Sequence, residues 1–261
     1  MSSFYQISKF LEYKLNAVDR HSLQAPFIFN FYENVMKGKK RSGVFDKIES
    51  YRRELLKNET LIAIEDFGAG SRVSKSAKRT VKDLARSGLS SRKFSEMLFR
   101  LSDYTESVDI VELGTSLGIN TLYLAKSSPK ARVTTFEGCR ESAQIAIDLF
   151  KRAHQFNIEV IRGNIDLTLP GFAKKTNKVD LVYFDANHQF DATLRYYSQF
   201  LPLIHADTVF VIDDIYWSKS MGKAWKELVQ QPEVTLSIDI FDAGLLFFNK
   251  DFYKEHYVLA F

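Results

Sequence analysis

From residue 109 onward, short runs of β-branched and aromatic residues alternate with stretches of helical periodicity. This alternation limits the fold more than any other feature of the 261-residue chain. Strand candidates are 109–113, 132–137, 158–162, 179–184 and 208–213; helix candidates are 119–127, 141–155, 189–203 and 220–230. Near-continuous apolar strands separated by helices predict a parallel sheet covered on both faces, an α/β architecture. The pattern changes at the end. Residues 234–241 and 244–249 read as strands joined at Asp242-Ala243, too close for a helix, and predict a terminal antiparallel hairpin.

The first hundred residues follow a different grammar. Apolar residues recur at helical spacing over 4–17, 44–57, 74–86 and 91–101, with Ser90-Ser91 as an N-cap region. The expected division is a mainly helical N-terminal cap over 1–104 and a ligand-binding α/β domain over 105–261. Hydrophobic residues make up 45% of the chain and charged ones 26%, enough apolar surface for a core and against disorder. The lone cysteine, Cys139, excludes a disulfide framework and a cysteine-clustered zinc site. The opening MSSFYQISKF lacks a signal peptide's layout, and no apolar run approaches the roughly 18 residues of a membrane span, so a cytoplasmic protein is expected.

Charge is unevenly distributed. Residues 1–100 hold 20 Lys/Arg against 11 Asp/Glu, while 101–261 hold 16 against 21. A basic half suits an anionic partner or, more plainly, solvated helix faces. The glycine-rich Asp66–Ser71 segment, followed by Arg72, Lys75 and Arg79, is a candidate flap offering positive charge to a substrate.

Ligands of open α/β sheets bind at the carboxyl ends of the strands. The first strand runs into Val111-Glu-Leu-Gly-Thr-Ser-Leu-Gly-Ile-Asn120, where Gly114 and Gly118 permit a tight turn and close approach of backbone to ligand. The G-x-x-x-G spacing differs from the dinucleotide fingerprint, and no Gly-Lys-Ser/Thr follows, so a pyrophosphate is not the natural guest. The next strand ends at Glu137, where an acidic residue reaches a ribose hydroxyl pair. The fourth strand ends in Asp185 and the fifth in Asp213-Asp214, so three carboxylates converge on one rim. Such carboxylates repel and rise in pKa unless a cation neutralises them, and Mg²⁺ or Ca²⁺ prefers hard oxygen ligands. A metal there would bind vicinal oxygens and lower a hydroxyl pKa. The metal-free alternative has Asp185 lining a cofactor pocket and Asp213 orienting substrate.

E-L-G-T-S-x-G after the first strand, with an acidic end to the second, resembles class I S-adenosylmethionine-dependent methyltransferases over about residues 105–249. The resemblance implies a Rossmann-like seven-stranded methyltransferase sheet, parallel with a terminal antiparallel hairpin. It implies that Glu112, Gly114, Thr115, Ser116 and Gly118 face the methionine end of S-adenosyl-L-methionine. Glu137 would then hold the ribose, and Gly163 and Asn164 would lie beside the adenine, although many relatives carry an acidic residue where Asn164 stands. Asp185, Asp213 and Asp214 match the metal positions of cation-dependent O-methyltransferases of the catechol, caffeoyl-CoA and macrolide-sugar types. His188, three residues after Asp185, matches the D-x-x-H seen in many relatives of the sugar-modifying branch and is a candidate general base beside Asp185.

The leading expectation is O-methylation of a small molecule with metal assistance, in a possible homodimer built on exposed aromatics. Tyr216 and Trp217 are candidates to stack on a ring or sugar. Two rivals are a metal-independent enzyme acting on another acceptor, nucleic acid included, and a non-catalytic cofactor binder. Nucleic acid is not the expected partner: Phe184-Asp-Ala-Asn187 stands where base amino-methylating enzymes carry Asn/Asp-Pro-Pro-aromatic, and the basic residues lack interleaved aromatics.

Overall fold

The computed structural model describes residues 2–38, 42–65 and 78–261. The chain forms two compact units, Lys39–Gly171, and Met1–Gly38 together with Phe172–Phe261. The expected cut at 104/105 follows the change in sequence grammar; the units follow tertiary contacts.

In chain order, α1 (Ser2–Asn16) and α2 (Pro26–Phe31), the latter continued by a π-helical turn over Tyr32–Met36, belong to the second unit. The first unit begins with α3 (Ser42–Leu55), β1 (Leu61–Ala63), β2 (Lys78–Thr80), α4 (Val81–Gly88) and α5 (Arg92–Tyr104). Then follow β3 (Asp109–Leu113), α6 (Ile119–Ala125), β4 (Arg132–Glu137), α7 (Arg140–Arg152) and β5 (Ile158–Arg162). The helix α8 (Ile165–Ala173) crosses the boundary. The second unit resumes with β6 (Leu181–Phe184), α9 (Phe190–Phe200), β7 (Val209–Asp213) and α10 (Lys219–Gln230). It closes with β8 (Leu236–Asp239), β9 (Ala243–Phe247) and β10 (Glu255–Val258).

In the first unit β3, β4 and β5 pair in parallel, with Glu112 opposite Thr135 and Glu137 opposite Arg162. Their covering helices share a core in which the Phe45 ring meets Phe99 edge-on at 5.0 Å and Tyr123 at 5.3 Å. A buried ion pair joins Arg52 Nε to Glu49 Oε1 at 2.9 Å, and Tyr123 Oη donates to the same carboxylate. Arg52 also donates to Ser95 Oγ and the Ser90 carbonyl, so no buried charge stands unpaired there. Ser91 caps α5 through the Phe94 N–H, as the Ser90-Ser91 pair predicts. The helix expected over 74–86 is only partly formed: Lys78–Thr80 is a strand paired antiparallel with Leu61–Ala63, and Thr80 then caps α4. Asp66–Ser71, Arg72 and Lys75 lie outside the described residues.

In the second unit β6 and β7 are parallel, β9 pairs antiparallel with β7 and with β8, and β10 adds in parallel to β8. Strands β6 and β9 are buried along their whole length, which explains their continuous apolar sequence; β8 is equally buried but carries Ser237 and Asp239 inward. The terminal hairpin is therefore present, and β10 extends it; its Glu-His-Tyr-Val sequence shows no alternation by which to foresee it. The helix α8 is not among the helix candidates; it carries Pro170 and Gly171, both weak helix formers, in its interior. Residues 2–38 pack on the C-terminal strands: Tyr13 Oη donates to the Leu259 carbonyl, Val18 bridges to Leu259, and Phe27 and Phe31 meet Phe247 edge-on.

Candidate functional site

The first unit supplies the glycine turn. Glu112, the penultimate residue of β3, is buried; its Oε2 accepts hydrogen bonds from Thr121 Oγ1 and Thr135 Oγ1, while Oε1 has no partner. Burial pushes its carboxyl up to about 7, against the opposing pull of the two threonines. After β3 the backbone turns sharply: Gly114 and Gly118 have φ of 103° and 83°, and Ser116 takes the left-handed region at 49°. Gly114 and Thr115 both donate to the Phe136 carbonyl, and Gly118 N–H closes the turn on the Thr115 carbonyl at 2.8 Å. A Cβ at Gly118 would lie 2.6 Å from the Phe150 ring, so only glycine fits.

Glu137 ends β4 and receives two backbone donors, Ser116 N–H on Oε2 at 2.7 Å and Cys139 N–H on Oε1 at 2.8 Å. Each oxygen keeps a second lone pair for a ligand hydroxyl. Burial raises its pKa, opposed by the N–H groups of Cys139, Ser116 and Gly138. Gly163, at φ 121°, donates to the Glu137 carbonyl; Asn164 Oδ1 accepts the Asp166 N–H and so starts α8. Cys139 is buried, with Sγ on the Ala63 carbonyl, a structural setting.

The second unit supplies the carboxyls. Parallel register sets Phe184 beside Ile212, so Asp185 and Asp213 emerge side by side. Tyr183 Oη lies 3.0 Å from Asp185 Oδ2 and 3.0 Å from Asp213 Oδ2 and shares its proton between them. The two carboxyls also hydrogen-bond one another, which requires a proton on the pair. Burial first, then the Asp213 charge, holds Asp185 well above the carboxylate range; burial and Asp214 push Asp213 up to about 8. His188 Nε2 lies 3.6 Å from Asp185 Oδ1, and burial lowers its pKa against the Asp214 charge, so the imidazole is neutral. Tyr183 is absent from the candidates read from sequence. Its place two residues before Asp185, on the same face of the strand, was the available sign.

The three-carboxylate metal site is not assembled. Among the described residues no group of three or more His, Cys, Asp or Glu side chains stands so that it could hold a metal ion. Asp185 and Asp213 come together, whereas Asp214 takes a left-handed backbone (φ 55°) that starts a turn, its N–H on the Asp242 carbonyl. Tyr216 is also committed elsewhere: its hydroxyl binds Asp239 and its ring packs on Phe241. Arg79 is buried, donating to the Asp83 carbonyl and Ser87 Oγ, so it does not offer charge to a substrate. Several other cations of the basic half are in ion pairs: Arg92 and Arg100 with Glu96, and Lys82 with Glu59. No helix among the described residues is long and apolar enough to cross a membrane.

Residues 111–215 match the model of a methyltransferase domain family. No curated protein matches the chain by sequence. Among solved structures the chain is similar to an SAH-bound methyltransferase of Podospora anserina, with 16% identity over 87% of this chain and 97% of that one (TM-score 0.61). It is also similar to an O-methyltransferase of Bacillus cereus in complex with SAH, with 17% identity over 84% and 96% (TM-score 0.57). A third is the O-methyltransferase TomG of Streptomyces achromogenes, involved in tomaymycin synthesis and bound to SAM, with 20% identity over 79% and 89% (TM-score 0.57). These likenesses show the fold, and the matched segment holds both the glycine turn and the carboxyl pair.

Proposed function

We propose that this chain, a methyltransferase of the class I S-adenosylmethionine-dependent fold, transfers a methyl group to an oxygen of a small molecule. The observation that carries the proposal is the proton-sharing Asp185–Asp213 pair, tied by Tyr183, with a neutral His188 3.6 Å from Asp185. A neutral imidazole accepts the proton that a hydroxyl must lose as it attacks a methyl carbon, and the protonated carboxyl can orient that hydroxyl through a hydrogen bond. Methyl transfer is otherwise mostly a matter of placing nucleophile and methyl carbon in line.

The first unit's residues fit the cofactor. Glu112 Oε1 is a buried acceptor without a partner, suited to an ammonium donor at the methionine end. Glu137 has lone pairs free for the ribose hydroxyls, the positive-φ 114–118 turn would face the methionine end, and Gly163 and Asn164 would border the adenine. When bound, S-adenosylmethionine supplies the activated methyl group.

Two carboxyls that share a proton also suit a divalent cation in its place, since Mg²⁺ is commonly held by one or two carboxylates and completed by water and substrate. Asp185 and Asp213 would hold it, Asp214 contributing charge, and it would acidify the acceptor hydroxyl. Two vicinal hydroxyls, as in a catechol or sugar diol, suit such a site. The exposed apolar stripe of α1, Phe4, Ile7, Leu11 and Leu15, is assigned to a second copy of the chain. Burying both stripes at once removes roughly 1,000 Å² from water, the lower bound of a specific interface.

The test is calorimetric titration of S-adenosylmethionine with EDTA and with Mg²⁺, followed by methyl transfer to catechol and sugar diols. Saturable cofactor binding that is weakened tenfold or more in Glu137→Gln, with transfer lost in Asp213→Ala, is expected. Absence of cofactor binding, or transfer indifferent to both His188→Gln and Asp213→Ala, would refute the reading.

A further inference from the structure

Within the second unit an apolar cleft of about 160 Å³ lies beside the start of β8, walled by Phe27, Phe252, Tyr253 and Tyr257 and rimmed by Asp251 and Glu255. It is not part of the carboxyl site. Leu236 of β8 pairs with Phe247, which pairs with Val209 at the start of β7, whereas Asp213 ends β7 opposite Ala243. Four residues of extended strand, about 13 Å, separate the two levels.

The lining is chemically unusual for a surface cleft. Phe27 and Phe252 stand 4.6 Å apart between centroids, and Tyr253, also on the lining, is 86% exposed. Tyr257 Oη donates to Glu255 Oε2 at 2.6 Å and fixes that carboxylate beside the rings. Among the described residues neither Asp251 nor Glu255 forms an ion pair. Of the two lysines nearest in sequence, Lys254 is turned away, its ammonium on the Gln230 and Gln231 carbonyls at the end of α10, and Lys250, which precedes Asp251, is exposed to solvent. Ring faces are electronegative, and two uncompensated carboxylates add to that field. An anion is repelled there, and a neutral apolar guest would desolvate the carboxylates for no return. The volume equals roughly five water molecules' share of liquid, room for a small alkylammonium head group.

We propose that this cleft binds an alkylammonium cation, seated on the aromatic walls and neutralised by Asp251 and Glu255. The head group can belong to a free metabolite or to a methylated lysine of a partner, and the experiment separates the two. Choline is titrated into the full chain by calorimetry and by ¹H–¹⁵N NMR, alongside its neutral isostere 3,3-dimethylbutan-1-ol and a trimethyllysine peptide. Choline is expected to bind with a Kd of about 1 mM, at least about tenfold tighter than the isostere. NMR shifts are expected to be confined to 25–28 and 251–257. The double variant Asp251→Asn/Glu255→Gln is expected to weaken binding about tenfold or more, and Tyr253→Ala several-fold. All three residues are exposed, so these variants fold, and their S-adenosylmethionine affinity serves as the control. A peptide at least tenfold tighter than choline places the head group on a partner; equal affinity places it on a small molecule. No choline binding up to about 100 mM, equal binding of the isostere, or an unchanged double variant overturns the proposal.

Discussion

Replacing Asp213 by asparagine keeps the shape of the carboxyl pair and removes one of its ionisations. In the folded protein burial and Asp214 push the Asp213 carboxyl from the ordinary 3.8 up to about 8. A carboxyl raised on folding stabilises relative to its ionised state below the unfolded pKa, and that advantage is lost as pH rises through the folded pKa. Between pH 4 and pH 8 the unfolded chain is ionised at Asp213 while the folded chain holds its proton, so stability falls across this window. At 1.36 kcal/mol per pH unit the full displacement sets a ceiling of roughly 6 kcal/mol. Asp185 and Asp213 titrate as a coupled pair, so removing one member is expected to recover only part of that, on the order of 3 kcal/mol. The introduced amide also donates to Asp185 as the shared proton did. Urea unfolding in EDTA is therefore expected to show Asp213→Asn equal to the parent near pH 4 and roughly 3 kcal/mol more stable at pH 8, about 6–12 °C in Tm. Mg²⁺ at pH 8 is expected to stabilise the parent and leave the variant unmoved. A gain that is independent of pH, or a variant less stable than the parent at pH 8, refutes the shared-proton reasoning.

His188→Gln is expected to lower kcat by about 10²–10⁴-fold. In the parent the acid limb of the pH–rate profile is expected to inflect below 6.5, because burial depresses the imidazole and the neutral form is the active one; a limb well above 6.5 contradicts the assignment. Gly118→Ala combines a left-handed cost of about 1–2 kcal/mol with overpacking of about 1–3 kcal/mol against Phe150, so roughly 2–5 kcal/mol of stability should be lost in chemical denaturation. A loss below about 1 kcal/mol would show that the turn relaxes freely. Ile7→Glu with Leu11→Glu is expected to shift sedimentation from dimer to monomer while S-adenosylmethionine affinity is kept; an unchanged sedimentation coefficient rejects the α1 pairing.

The glycine turn was legible because its chemistry is local. Gly114 and Gly118 stand where an L side chain is excluded, and Glu137 ends a strand whose β-branched run announces itself. The carboxyl pair was legible as two strand ends that parallel pairing must bring level. The fate of the third carboxylate was not, because Asp214 leaves the strand through a left-handed φ that adjacent residue types do not encode. Arg79 read as an exposed cation and is buried, since its environment comes from β1, β2 and α4 together.

Periodicity and turn chemistry, properties of neighbouring residues, determined the α/β class, the terminal hairpin and the positions of Glu112, Glu137, Asp185 and Asp213. Tertiary structure alone decided which groups share a proton or lie beside an aromatic wall. Tyr183 meets Asp213 across 30 residues, Tyr13 meets Leu259 across 246, and Phe27 meets Phe252 across most of the chain. Each such meeting closes a long loop against its entropy, and it holds only where the burial of many other side chains has already fixed the ends in place.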